Sequence, residues 1–108
     1  MPLPYAHRGE VYLARLDKLR PVVVLSVDPL NKFAFDVCVI PITTRQHGKF
    51  SLRVPLKAGE SGLEFDCWAK CDQVTTLENS LLRHPAIGVL PEDKFNRIQE
   101  QVRVCLGL

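Results

Sequence analysis

Apolar residues fall in short runs along this chain, and their period changes near its end. Pro21-Val22-Val23-Val24-Leu25-Ser26 and Phe35-Asp36-Val37-Cys38-Val39-Ile40 are rich in β-branched residues and almost continuously apolar. Runs of that length predict two buried strands. Asp28-Pro29-Leu30-Asn31-Lys32, between them, has turn chemistry. Val11 to Leu16 alternates and predicts a strand opened by Arg8-Gly9-Glu10, with Asp17-Lys18-Leu19 a tight connection into the strand that starts at Arg20. Phe50 to Pro55 also alternates and predicts a strand with one wet face. A basic loop, Arg45 to Lys49, precedes it, and a second loop, Lys57 to Gly62, follows. Leu63 to Val74 reads as extended and holds the single tryptophan, Trp68. Thr75 and Glu78 stand at capping-box spacing, which predicts a helical turn. His84-Pro85 would end that turn, ahead of a last short strand at Ile87 to Leu90. The period then lengthens. Pro91-Glu92-Asp93 is a helix start, and Phe95, Ile98, Val102 and Cys105 recur every three or four residues along one helical face.

Many short strands and one terminal amphipathic helix predict a mainly β (α+β) fold, a small SH3-like barrel carrying a C-terminal helix. With 108 residues, one domain over the whole chain is expected. The chain is 46% apolar and 24% charged, which places it among ordinary globular proteins. No apolar run approaches the roughly 20 residues of a membrane span, and MPLPYAHRGE lacks the apolar core of a signal peptide. The expected location is the cytoplasm, with no membrane partner. Cys67-x-x-x-Cys71 has the spacing of half a zinc site but no second pair or histidine cluster follows. Reduced, partly buried thiols, with Cys38 and Cys105 in apolar patterns, are the better reading, and no metal or cofactor is expected.

Charge changes the picture. Residues 1–57 hold nine Lys/Arg and four Asp/Glu, for +5, while residues 58–108 hold five and eight, for −3. A basic half suggests an anionic partner, although charge alone fits a mixed solvated surface as well. Arg20 enters the first buried strand, and Thr43 and Thr44 leave the second. In one barrel those ends can meet, and a guanidinium beside a hydroxyl can hold a phosphate. Arg45, Lys49 and Arg53 could track further phosphates. His47, in the same basic loop, is the best acid or base because imidazole titrates near neutral pH. A solvated loop histidine is the simpler reading of it. His7 and His84 read as structural or solvent-facing. Phe50 and Phe65 could stack a base, although core packing is commoner for such residues.

In this order and spacing, the segments resemble the MazF/PemK toxins (Kid-like proteins included), the ribonuclease partners of toxin–antitoxin pairs. Arg8-Gly9-Glu10-Val11-Tyr12 is similar to the family's RGE/D-[IV]-[WY] opening, and Arg20 to Ser26 to RPVLV[VI]S. Pro41-Ile42-Thr43-Thr44 is similar to PITS/T, Cys71-Asp72-Gln73-Val74 to CDQ-[IVP], and Val104 to Leu108 to the LGL ending. The resemblance implies a barrel of the MazF/CcdB type that forms a homodimer and cuts single-stranded RNA sequence-selectively without metal. It implies products with 2′,3′-cyclic phosphate and 5′-hydroxyl ends, and a small, acidic, MazE-like antitoxin as partner. By position it implies Arg20 as catalytic arginine and Thr43 as its hydroxyl partner, with Thr44 beside it. Lys70 and Asp72 match an arginine and an aspartate of Kid-like sites. The chain departs from the family in three places. The long first loop is reduced to Asp17-Lys18-Leu19, that loop's histidine has no counterpart, and Thr75-Thr76 replaces an R-T pair. The short connection predicts an open Arg20 end. Two other readings remain at this stage. One is a catalytically weak or inactive RNA-binding or antitoxin-binding homologue. The other is a CcdB-like gyrase-directed toxin, although the chain lacks the Trp-Gly-Ile ending of that class.

Overall fold

Why the two central runs are apolar at every position becomes clear from how they are covered. The computed structural model describes residues 4–45 and 52–108. Within them, β1 (Glu10–Arg15), β2 (Leu19–Val24) and β3 (Asp36–Thr43) are antiparallel neighbours, with Val22 opposite Pro41 and Val23 opposite both Ile40 and Val11. Successive strand residues face opposite ways. Val11, Val23, Ile40 and Ile42 therefore enter one core, and Tyr12, Ala14, Val22, Val24, Val37 and Val39 enter a second on the other face. Both faces are buried, so neither strand can alternate.

The remaining strands extend this centre. β4 (Arg53–Leu56) and β5 (Cys67–Lys70) pair with each other, and β5 pairs with the end of β3. β6 (Thr75–Glu78) pairs with the beginning of β3, and β7 (Leu82–Val89) with β1. The order across the sheet is β4-β5-β3-β2-β1-β7, with β6 on β3. β3 thus carries β6 along its first half and β5 along its second, which curls the sheet into an open barrel. A helix, α2 (Glu92–Leu106), closes the first core with Ile98 and Val102, and Phe95 and Cys105 pack beside them. Ile98 is fully buried, a transfer that stabilises by about 1.5–3 kcal/mol. Glu92 and Asp93 occupy its first turn. Gly107 ends it in the left-handed region at φ 71°, and Leu108 N–H reaches back to the Arg103 carbonyl at 2.9 Å, as in a Schellman cap.

Three local expectations change. Residues 28–32 do not turn but form a short helix, α1 (Asp28–Phe33), with proline and an acid in its first turn. Buried Asn31 anchors it by donating to the Ser26 carbonyl at 2.9 Å, while the Ser26 hydroxyl accepts from Cys38 N–H at 3.0 Å. Thr75 to Glu78 is strand β6 rather than a capped turn; a 3-10 turn, Asn79–Leu81, follows it. Its register, Val39 opposite Thr75 and Val37 opposite Leu77, buries Leu77 in the second core, and that outweighs a two-residue cap signal. Pro85 lies inside β7, not at its start. β7 is an edge strand, and between Leu13–Arg83 and Val11–Gly88 it spends five residues against two on β1. A proline is tolerated on such a bulged edge.

The N-terminal segment is tied down by charge. His7 Nδ1 bonds Asp28 Oδ2 at 2.7 Å, Arg8 N–H donates to Asp28 Oδ1 at 2.7 Å, and the Arg8 guanidinium donates to Gln99 at 2.6 Å. The hydrogen bond to Asp28 raises His7 above the usual 6.5, and Asp28 is lowered from 3.8 by the Arg8 amide first and by His7 second. A raised histidine stabilises fully below its unfolded value and loses this as pH climbs through the raised one. A lowered carboxyl contributes above its unfolded value and fails as pH falls. The pair therefore contributes most between roughly pH 4 and 6.5 and fades as pH rises through the raised histidine value. Because both side chains are exposed, the effect stays below about 1 kcal/mol. The expected result is that Asp28→Asn narrows the difference in Tm between pH 5.5 and pH 8; an unchanged difference would exclude this pair as its source.

Candidate active site

β2 and β3 carry Arg20 and Thr43 past their last paired residues to one end of the sheet. The β2–β3 pairing ends at Val22–Pro41; beyond it Arg20 stays paired with Ala14 of β1 and Thr43 with Trp68 of β5, and both line one cavity. Lys70 is paired with Arg53. Thr43 and Trp68 form one row of one sheet face, and Lys70 and Arg53 form the next.

An open cavity of about 890 Å³ lies at these strand ends. Leu13, Pro21, Ile42, Leu63, Cys67 and Ile87 give it an apolar floor. Lys18, Leu19, Arg20, Thr43, Thr44, Arg45, Gly62, Glu64 and Phe65 complete the lining. Among the described residues, three cations and one carboxylate give it a net positive rim, suited to an anion.

Each polar group is held by its element. Arg15 pairs with Leu19, so the β1–β2 turn is only Leu16, Asp17 and Lys18, closed by Leu16 N–H to the Lys18 carbonyl at 3.1 Å. Within that turn Asp17 takes Arg20: Nε donates to Oδ1 at 2.8 Å and Nη2 to Oδ2 at 3.0 Å. The guanidinium holds the Asp17 carboxyl well below the usual carboxylate range, and Asp17 in turn raises Arg20. The Thr43 hydroxyl oxygen accepts Arg45 N–H at 3.1 Å, which leaves its own hydrogen free to donate. Arg53 donates through Nη1 to the Arg45 carbonyl at 2.8 Å and so supports this turn as well as carrying charge.

The expected site residues separate here. Arg20, Thr43, Thr44 and Arg45 meet at the cavity. Lys70 and Arg53 do not line it but lie on the sheet face of Thr43, one row along. Lys70 is on β5 and Arg20 on β2, with β3 between them. Asp72 is exposed beyond β5, where burial first and the Asp72 charge after it raise the Cys105 thiol; it does not line the Arg20 cavity. His47 and Lys49, with Phe50, lie outside the described residues. Cys67 and Cys71 are buried in the first core, and burial pushes their thiols up to about 11 and about 12. Among the described residues no three potential metal ligands cluster. Phe65 is not core: it is 66% exposed and borders the cavity with Glu64.

Sequence reasoning missed Asp17 and Glu64. Asp17 had a legible signal, a carboxylate three residues before Arg20 in a tight turn. Glu64, beside Phe65, had none. Their loop reaches the cavity because Gly62 and Gly88 let two backbones touch. A Cβ on Gly62 would stand 2.0 Å from the Ile87 carbonyl oxygen, and one on Gly88 2.2 Å from the Ser61 carbonyl.

Comparison with known proteins agrees with this architecture. Residues 7–106 match the model of a family described as PemK-like, MazF-like toxin of type II toxin–antitoxin system. A relative from Staphylococcus saprophyticus, Endoribonuclease MazF, is 29% identical, over 94% of this chain and 91% of its own. The solved Mycobacterium tuberculosis toxin MazF-mt6 is 29% identical with a TM-score of 0.81, over 92% of this chain and 97% of its own. A MazE–MazF structure from Deinococcus radiodurans, 21% identical, shares the fold with a TM-score of 0.85 over 98% of this chain and 99% of its own.

Proposed function

Because the chain belongs to the PemK-like, MazF-like toxins of type II toxin–antitoxin systems, we propose that it is an endoribonuclease that cuts single-stranded RNA at the Arg20–Thr43 site without a metal ion. The observation that carries this reading is that Arg20, on β2, and Thr43, at the end of β3, line one cavity with a basic rim. The ribose 2′-hydroxyl attacks the adjacent phosphorus, and the bond to the 5′ oxygen breaks in line. The fragments end in a 2′,3′-cyclic phosphate and a 5′-hydroxyl. Negative charge builds on the non-bridging oxygens during attack, and a preorganised guanidinium is the group to meet it. Thr43 donates its hydroxyl hydrogen to one of those oxygens. His47, two residues beyond Arg45, is the candidate acid or base by its chemistry. Arg45 and Thr44 at the rim, with Lys70, Arg53 and Lys49, follow the neighbouring phosphates.

The protein works in the cytoplasm as a homodimer and is held in check by a small, acidic, MazE-like antitoxin. The relatives named above include an endoribonuclease and a toxin–antitoxin complex, which supports both parts of the reading. No helix among the described residues is long and apolar enough to cross a membrane.

The test is incubation of the purified protein with a long single-stranded transcript in excess EDTA, followed by mapping of both new ends. Cleavage that leaves cyclic phosphate and 5′-hydroxyl ends is expected. Strict dependence on Mg²⁺, or ends carrying 5′-phosphate, would refute the mechanism.

A further inference from the structure

A guanidinium has two edges that can each grip two oxygens: Nε with one Nη, and the pair of Nη groups at its tip. In Arg20 the first edge is occupied, since Nε and Nη2 both donate to Asp17. The tip remains. The cavity beside it is lined by Lys18, Leu19 and Arg20 but not by Asp17, so the carboxylate holds the fork from outside. Asp17 is itself fixed in a turn of only three residues. The pair is too exposed to matter much for folding, with side chains 42% and 68% accessible; ion pairs of this kind contribute little stability.

We propose that Asp17 is a positioning residue for Arg20, gripping one edge of the guanidinium so that its tip faces the RNA phosphate in the cavity. This rests on Arg20 being the site of cleavage. The arrangement has two opposed effects. It orders the fork for the transition state, and it cancels one of the three positive charges, those of Lys18, Arg20 and Arg45, that draw RNA to the rim. Removing it therefore separates turnover from binding. The pair stays ionised through neutral and mildly acidic pH, because each partner favours the charged form of the other.

The experiment compares the parent with Asp17→Ala, Asp17→Asn, Arg20→Ala, Arg20→Lys and the Asp17→Ala/Arg20→Lys double variant. Turnover is measured on a single-stranded RNA cut by the parent. Binding is measured on its 2′-O-methyl analogue, which lacks the attacking hydroxyl, across a salt series. Asp17→Ala is expected to lower kcat by about tenfold or more, as misplacement of a catalytic group does, while binding is unchanged or tighter. Its salt slope should steepen by about 0.7, one phosphate's worth on a single strand. Asp17→Asn should do the same more weakly, since its amide presents hydrogens to Nη2. In the Arg20→Lys background, where there is no fork to orient, Asp17→Ala should have little effect on kcat. A parental kcat in Asp17→Ala overturns the proposal. So does a parallel fall in kcat, binding and Tm, which marks a structural role, or an equal loss of kcat in the lysine background. If Arg20→Ala cleaves like the parent, the site assignment itself fails, whatever the Asp17 variants do.

Discussion

Arg20→Ala lowers RNA cleavage by about 10²–10³-fold, the usual cost of losing one preorganised donor at a developing oxyanion. The fold survives, because Arg20 is only half-buried and its hydrogen bonds run to Asp17 on an exposed turn. An unchanged circular dichroism spectrum and a Tm within a few degrees of the parent are the controls. Arg20→Lys recovers only part of the rate, since an ammonium keeps the charge but not the planar fork. Thr43→Val falls between, because it removes the hydroxyl that Arg45 N–H orients at 3.1 Å and keeps the branched shape at the strand end. An Arg20→Ala protein as active as the parent would move the site elsewhere.

Gly88→Ala destabilises the fold by about 3 kcal/mol or more, in the range reserved for overpacking against atoms that cannot yield. The atoms its Cβ would meet, at 2.2 Å, are the Ser61 carbonyl carbon and oxygen. Backbone cannot swing aside as a long side chain can. Gly62→Ala is at least as severe, because a Cβ 2.0 Å from the Ile87 oxygen adds to a φ of 77° that favours glycine. Gly59→Ala is the control: it carries the φ of 87° but meets nothing within 4 Å, so backbone strain of about 1 kcal/mol is its whole cost. At about 4 °C or more per kcal/mol for a chain near this size, Gly88→Ala loses more than about 10 °C of Tm. It also loses cleavage below its Tm, because the displaced loop takes Leu63, Glu64 and Phe65 from the cavity wall. A Gly88→Ala protein as stable as the parent would mean that this loop does not seat against β7.

The chain's own pattern determined the strands that form the two cores and the helix that caps the first. Continuous β-branched runs at 21–26 and 35–40, and a 3–4 period from Phe95 to Cys105, are properties of local order, and burial on both sheet faces or along one helical face rewards them directly. It also marked Arg20 and Thr43 as strand-end residues, and both line the cavity. Tertiary structure decided the rest. Thr75 to Glu78 carries a helix-cap signal, yet becomes β6 because Leu77 gains a place in the second core. Residues 28–32 carry turn signals, yet become α1 because Asn31 finds buried partners on Ser26. Lys70 follows the site motif in sequence, yet stands two strands from Arg20, since β5 joins the far side of β3. Phe65 reaches the cavity only through the Gly62–Gly88 contact between segments some 26 residues apart. Local sequence carries the preferences of single residues and their period. Which distant backbone each segment meets depends on the summed burial of the whole sheet, and no short stretch encodes that sum.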